Sequence, residues 1–198
     1  MKNILLLWEI GGFIFIGLIG ASLHFTFELS DFSSVEVAYF SSVNESTWEH
    51  LKMVFFPGLV FALIQYTYVK DMVNNYIVAK VAGLVIMPLV ITIGWYIYAP
   101  ILGRSYFPAD LFLFYLAVFI GQVISYKLLS RSPLKKRYNQ AAIVVFFILF
   151  AAFSTFTYFP PKIFLFEHLD LKDTGLYGIL PMEENIRYLT APTPPSSP

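Results

Sequence analysis

The chain has 198 residues, of which 58% are hydrophobic and 13% are charged, and its formal net charge is zero. A soluble domain carries about 25% charged residues, so this composition excludes an ordinary soluble protein and favours a multi-pass membrane protein. The balanced charge argues against a nucleic-acid partner. The absence of cysteine excludes disulfides, thiol catalysis and cysteine-ligated metal ions.

We predict an all-α integral membrane protein, with a bundle of about five transmembrane helices in residues 1–161. Gly17 and Ala21 in the first segment have the small-residue spacing that lets another helix approach closely. Glu9 either reaches the inner interface or is a buried functional carboxylate. Pro57 and Pro88 lie inside the second and third segments, where proline kinks a helix. The apolar segments of near-spanning length are 4–23, 51–69, 81–99, 111–126 and 141–159.

The basic residues predict the orientation. With the N-terminus inside, eight of the 13 basic residues but only two of the 13 acidic residues lie on the inner side. Positively charged loops stay in the cytoplasm, so we expect a plasma-membrane protein with a cytoplasmic N-terminus and an extracytoplasmic C-terminus. Residues 162–189 are expected to fold as an extension onto the outer face. The tail 190–198, rich in proline, serine and threonine, is expected to be disordered.

Histidines and carboxylates gather on the predicted outer side. His24 and Glu28 stand four residues apart at the end of the first helix, and Glu45, Glu49 and His50 begin the second. Imidazole beside carboxylate suits a divalent metal ion and also general acid–base catalysis. We therefore predict His24, Glu28 and His50 as ligands of a zinc or calcium ion. Glu49 or Glu45 would then serve as the catalytic base.

A simpler interpretation of the same stretch is a well-formed helix start. Ser46 and Glu49 have the spacing of a capping box, in which each side chain bonds to the other residue's amide. Glu45 would be favoured by the helix dipole. Trp48 would belong to an aromatic belt at the membrane interface. These roles require no ligand and no chemistry.

Several motifs go beyond composition: His24-Phe25-x-x-Glu28, Val43-Asn44-Glu45-Ser46-x-Trp48-Glu49-His50-Leu51-Lys52, Pro160-Pro161 and Thr174-Gly175-x-Tyr177-Gly178-Ile179. Together they resemble an uncharacterised family of small bacterial multi-pass membrane proteins, a domain of unknown function. The resemblance covers residues 12–179. It implies an outer-face site that includes Asn44, Trp48 and Tyr177 beside the histidines and carboxylates named above, and it implies no particular reaction.

Three functions stay open. The first is an accessory or structural subunit of a membrane complex, whose partner is another membrane protein. The second is a membrane-embedded, metal-dependent hydrolase or transferase that acts on a lipid substrate. The third is a small transporter, against which the lack of an inverted repeat speaks. The enzyme requires His24 and His50 to lie within about 10 Å of each other, because metal–ligand bonds are only about 2 Å long.

Overall fold

A computed structural model of the chain describes residues 2–31, 34–103 and 105–167. These residues are helical, apart from short connections. Five of the helices are long and apolar enough to cross a membrane, which confirms the predicted all-α fold with five spans; the orientation stays a prediction. The helices are α1 (Lys2–Leu29), α2 (Val35–Phe40), α3 (Thr47–Val69), α4 (Tyr76–Leu102), α5 (Phe107–Leu129) and α6 (Lys136–Thr155), with short 3-10 turns at Lys70–Met72 and Phe164–Phe166.

Most helices extend beyond the apolar segments that predicted them. Helix α1 continues to Leu29 rather than residue 23, and α3 begins at Thr47 rather than residue 51. Helix α6 begins earlier than predicted, at Lys136 rather than residue 141, but it also ends earlier, at Thr155 rather than residue 159. Hydropathy marks the part of a helix that suits hydrocarbon, whereas the backbone hydrogen bonds decide where the helix ends.

Small residues let α1 pack closely against its neighbours, α3 and α5. A Cβ atom on Gly20 would stand 2.3 Å from the carbonyl oxygen of Met53 in α3, and one on Gly17 would stand 2.7 Å from the ring of Tyr115 in α5. The small residues of α1 therefore let it contact other helices of the same chain closely, as their spacing predicts.

Glu9 is buried inside the bundle, in an ion pair with Lys80 of α4. Lys80 Nζ lies 2.6 Å from Glu9 Oε1, and Gln65 Nε2 of α3 donates a hydrogen bond to the same oxygen at 2.9 Å. Gln122 Nε2 of α5 donates to the Glu9 backbone carbonyl at 3.1 Å. Of the two predicted placements of Glu9, the structure shows the buried one. An unpaired charge among apolar helices is costly. The polar side chains that contact Glu9 come from α3, α4 and α5, so this cluster joins four helices.

Removing one partner of the Glu9–Lys80 pair should destabilise the bundle. Lys80→Met leaves a buried carboxylate without its cation, which costs about 3–5 kcal/mol in comparable sites, whereas replacing both partners by apolar residues is often neutral. We therefore expect Glu9→Leu/Lys80→Met to unfold in detergent at a higher temperature than Lys80→Met alone. Lys70→Met, at an exposed lysine, is the control. A double variant less stable than either single variant would contradict the pairing.

Candidate functional site

Three side chains converge at the end of the bundle where α3 begins: His24, Glu45 and His50. One potential ligand atom of each lies within 4.8 Å of the others. Glu45 Oε1 is 3.9 Å from His24 Nε2, and Glu45 Oε2 is 3.4 Å from His50 Nε2. The two imidazole rings are 5.3 Å apart between centroids. The carboxylate of Glu45 therefore stands between the two imidazoles, well inside the 10 Å that a shared ion allows.

The ring of His50 is oriented by the first turn of α3. Its Nδ1 lies 2.8 Å from the backbone carbonyl oxygen of Ser46. When Nδ1 donates its proton to that carbonyl, Nε2 is the ring nitrogen that faces Glu45 and would be available to a metal ion; metal-binding histidines are usually held in this way. His24 Nδ1 is buried and has no hydrogen-bond partner among the residues that the structure describes.

A turn and a helix cap place Glu45 and His50. Asn44 Oδ1 accepts a hydrogen bond from the Ser46 amide at 2.8 Å, and Ser46 Oγ accepts one from the Glu49 amide at 3.3 Å. The predicted capping box is therefore half confirmed. Ser46 caps α3 as expected, but its own amide bonds to Asn44, so Glu49 does not return to it.

The Glu49 side chain is used in a buried ion pair instead. Its Oε2 lies 2.6 Å from Lys52 Nζ and accepts from the Val43 amide at 3.3 Å. The fully buried Lys52 also donates to the Ala38 carbonyl at 2.8 Å and to Thr157 Oγ1 at 2.9 Å. Thr157 in turn donates to Glu49 Oε1 at 3.0 Å. This geometry gives Glu49 a structural role, and its predicted role as catalytic base stays a prediction.

A cavity of about 220 Å³ opens beside the three converging side chains. Four helices line it, and each helix includes a pair of lining residues three or four positions apart, hence on one helix face. In each pair the residue nearer the end of the bundle carries a polar group, and the residue one turn deeper is apolar; other lining residues, such as Phe25, Phe107 and Leu111, are apolar as well. The pairs are His24 over Ala21 in α1, His50 over Met53 in α3, Trp95 over Ile91 in α4, and Asp110 over Phe114 in α5.

Asp110 is a cavity residue that the sequence analysis did not select. Tyr98 donates a hydrogen bond to its Oδ1, and Ser105 Oγ donates to its Oδ2 at 2.6 Å. Two hydroxyl groups thus hold the carboxylate at the wall of the cavity. A signal for it was present in the sequence, since Asp110 is the single carboxylate of the predicted outer connection 100–110.

The other predicted site residues lie outside this group. Glu28 is on α1, one turn beyond His24, and is exposed rather than part of the three-residue cluster. Asn44 acts through the turn that precedes α3. Tyr177 lies outside the described residues. The structure therefore brings Glu45, rather than Glu28, to the two histidines.

Trp48 is buried in the protein core, whereas a residue of an interfacial belt would face the lipid. It is 8% exposed, and it packs between the rings of Phe153 in α6, at 4.6 Å, and Phe166, at 4.7 Å. The chain after α6 thus returns to the start of α3. The part of the predicted extension from residue 168 to 189 and the predicted tail 190–198 lie outside the described residues.

Loss of the Lys52 ammonium should destabilise this end of the bundle. Lys52→Met leaves Glu49 buried without its cation, so we expect a loss of about 3–5 kcal/mol in the free energy of unfolding. Thermal unfolding in detergent measures the effect, and Lys162→Met, at an exposed lysine, is the matched control. Stability equal to that of the control would show that the ion pair does not hold the fold.

Comparison with known proteins confirms one part of the resemblance, a family of unknown function. A family model described as "Family of unknown function (DUF6512)" matches residues 2–179. The searches of curated proteins and of solved structures found no match. Because the family model spans most of the sequence and includes all the residues of the cluster and cavity, the chain belongs to this family of unknown function, DUF6512.

Proposed function

We propose that the chain is a multi-pass membrane protein that binds one divalent metal ion through His24, Glu45 and His50. The approach of their ligand atoms to within 4.8 Å carries the proposal. Around a tetrahedral zinc ion with bonds of 2.0–2.1 Å, neighbouring ligand atoms stand about 3.3 Å apart. The separations of 3.9 Å from His24 and 3.4 Å from His50 involve different oxygens of Glu45, so the three ligand atoms, which lie within 4.8 Å of one another, would draw closer together around an ion.

The ligand types favour zinc over calcium. Calcium takes six to eight oxygen ligands, whereas two imidazole nitrogens and one carboxylate suit zinc. Three protein ligands leave a fourth tetrahedral position open, which is typical of catalytic rather than structural zinc sites. We assign Glu45 as the third ligand in place of Glu28. From the distribution of basic residues, we place this end of the bundle on the extracytoplasmic side.

Metal analysis tests the proposal. Wild-type protein purified in mild detergent with a trace of added zinc should retain about one zinc ion per chain, and His24→Ala/His50→Ala should retain none. His168→Ala, which removes the third histidine and keeps the proposed ligands, is the control and should retain the ion. Equal zinc content in wild-type protein and in a folded double variant would refute the site.

A second candidate, a metal-dependent hydrolase that acts on a lipid ester, is favoured by the cavity beside the open metal position. Glu45 would be a ligand and Glu49 is paired with Lys52, so the base would be Asp110. The ion would polarise the ester carbonyl while Asp110 accepts a proton from the attacking water. Asp110 would then return that proton to the departing alkoxide. Ester and water are thereby converted to carboxylic acid and alcohol.

Asp110→Asn tests the proposed base without removing a proposed metal ligand. It should keep zinc but hydrolyse a monoacylglycerol about 10²–10⁴-fold more slowly, the usual contribution of a general base. Asp110→Glu should recover part of the rate. Release of fatty acid, measured by mass spectrometry, is the readout. Unchanged turnover in Asp110→Asn would exclude its role, and a zinc-loaded wild-type protein without turnover would favour the accessory-subunit function.

Transport has less support. The described cavity ends at the apolar residues Ile91 and Phe114, and Glu9 is not among the residues that line it. Glu9 and His24 are about 22 Å apart along α1 at a rise of 1.5 Å per residue. Buried apolar residues such as Ile16 occupy the helix between them. A polar route from the Glu9 cluster to the cavity, which transport would use, is therefore missing from the part of the protein that the structure describes.

A further inference from the structure

The cavity is amphipathic in cross-section. The polar groups of its lining, which are imidazoles, carboxylates and hydroxyl groups, lie towards the end of the bundle beside some apolar rings, and its floor is wholly apolar and includes Ala21, Met53, Ile91 and Phe114. One helical turn, about 5.4 Å, separates the two layers. A small polar molecule would leave the floor unfilled, and a purely apolar one would desolvate the carboxylates without replacing their hydrogen bonds. The shape fits a molecule with a polar head and an apolar chain.

The polar layer also restricts the head group. Glu45 and Asp110 present carboxylate oxygens, which accept hydrogen bonds and cannot donate them when ionised. Ser105 already donates its hydroxyl proton to Asp110. The described lining residues contain neither lysine nor arginine. In the metal-free protein, a head that donates hydrogen bonds through hydroxyl groups complements these two carboxylates, whereas a carboxylate or phosphate head would meet them as like charges, offset only by the two imidazoles.

The floor restricts the number of chains. Ala21 is the smallest side chain of the lower layer, so a ligand can approach the α1 backbone more closely than it can approach the other helices. Phe114 of α5 and Ile91 of α4 present larger side chains to the cavity. A cavity of about 220 Å³ that must also hold a head group leaves room for the first methylenes of one chain.

We propose that this cavity binds a single-chain lipid with an uncharged, hydroxyl-bearing head, of the monoacylglycerol type, with the head between Glu45 and Asp110 and the first methylenes over Ala21. The proposal names the ligand class of the site described under the proposed function and rests on that site. Its test is binding in the absence of metal, so that its failure and the failure of the zinc site can be told apart.

Trp95 lines the cavity and serves as the reporter. Replacing the other two tryptophans, Trp8 and Trp48, with phenylalanine leaves it as the single fluorophore. A monoacylglycerol with a bromine atom near the ester should quench its fluorescence saturably in chelator-treated protein. A fatty acid of the same chain length, brominated at the same carbon, tests whether an anionic head is disfavoured.

Two pairs of variants test the two layers. Ala21→Phe should fill the floor and weaken binding about tenfold or more, because the buried methylenes lose their site. Leu18→Phe adds the same ring to the side of α1 that faces away from the bundle, where Leu18 is exposed, and should leave lipid affinity unchanged. Ile91→Phe repeats the floor test on α4 in case Ala21→Phe fails to fold. Asp110→Asn removes one negative charge from the polar layer, so it should reduce the ratio of monoacylglycerol affinity to fatty-acid affinity.

The outcomes separate the proposals. Saturable quenching by monoacylglycerol that Ala21→Phe or Ile91→Phe abolishes, and Leu18→Phe does not, supports the proposal whether or not zinc binds. Equal quenching in folded floor variants and wild type would overturn it, as would tighter binding of the fatty acid in metal-free protein. Zinc retention without lipid binding would support the metal site and refute the lipid proposal.

Discussion

The buried ion pair between Lys52 and Glu49 is the interaction on which this end of the molecule depends. An ammonium group with no exposure to solvent has to be fully compensated, and here the compensation comes from three separate parts of the chain. Glu49 lies on the same helix, Ala38 contributes a carbonyl from α2, and Thr157 contributes a hydroxyl from the segment after α6. Satisfying one charge therefore brings together segments that are over 100 residues apart in sequence.

The same constraint places the candidate site. Glu49 also accepts a hydrogen bond from the Val43 amide, so the loop before α3 is held against the helix it precedes. That loop carries Glu45 between His24 and His50. The helix cap and the site therefore do not compete as explanations of the stretch 43–52. Ser46 caps α3 with its side chain and orients His50 with its carbonyl, so one residue serves both purposes.

Hydropathy was sufficient for the fold because a membrane-spanning helix must be apolar along its length and must satisfy its backbone internally. The five spans could be identified from this property alone. Spacing along one chain was less informative for the site. Glu28 was selected because it lies four residues after His24, yet four residues rotate the helix about 40° beyond a full turn. Glu28 is exposed, and the carboxylate that reaches His24 comes from the loop before α3.

Some features were determined by the sequence itself: five apolar spans, a helix start at Ser46, and two histidines at the same end of the bundle. These depend on local hydrogen bonding and on hydropathy, which neighbouring residues encode. The tertiary structure alone decided that Lys80 pairs with Glu9, that Glu45 joins the histidines, and that Asp110 lines their cavity. Such contacts depend on how each helix is rotated about its axis and packed against the others, and hydropathy does not encode that rotation in nearly uniformly apolar helices.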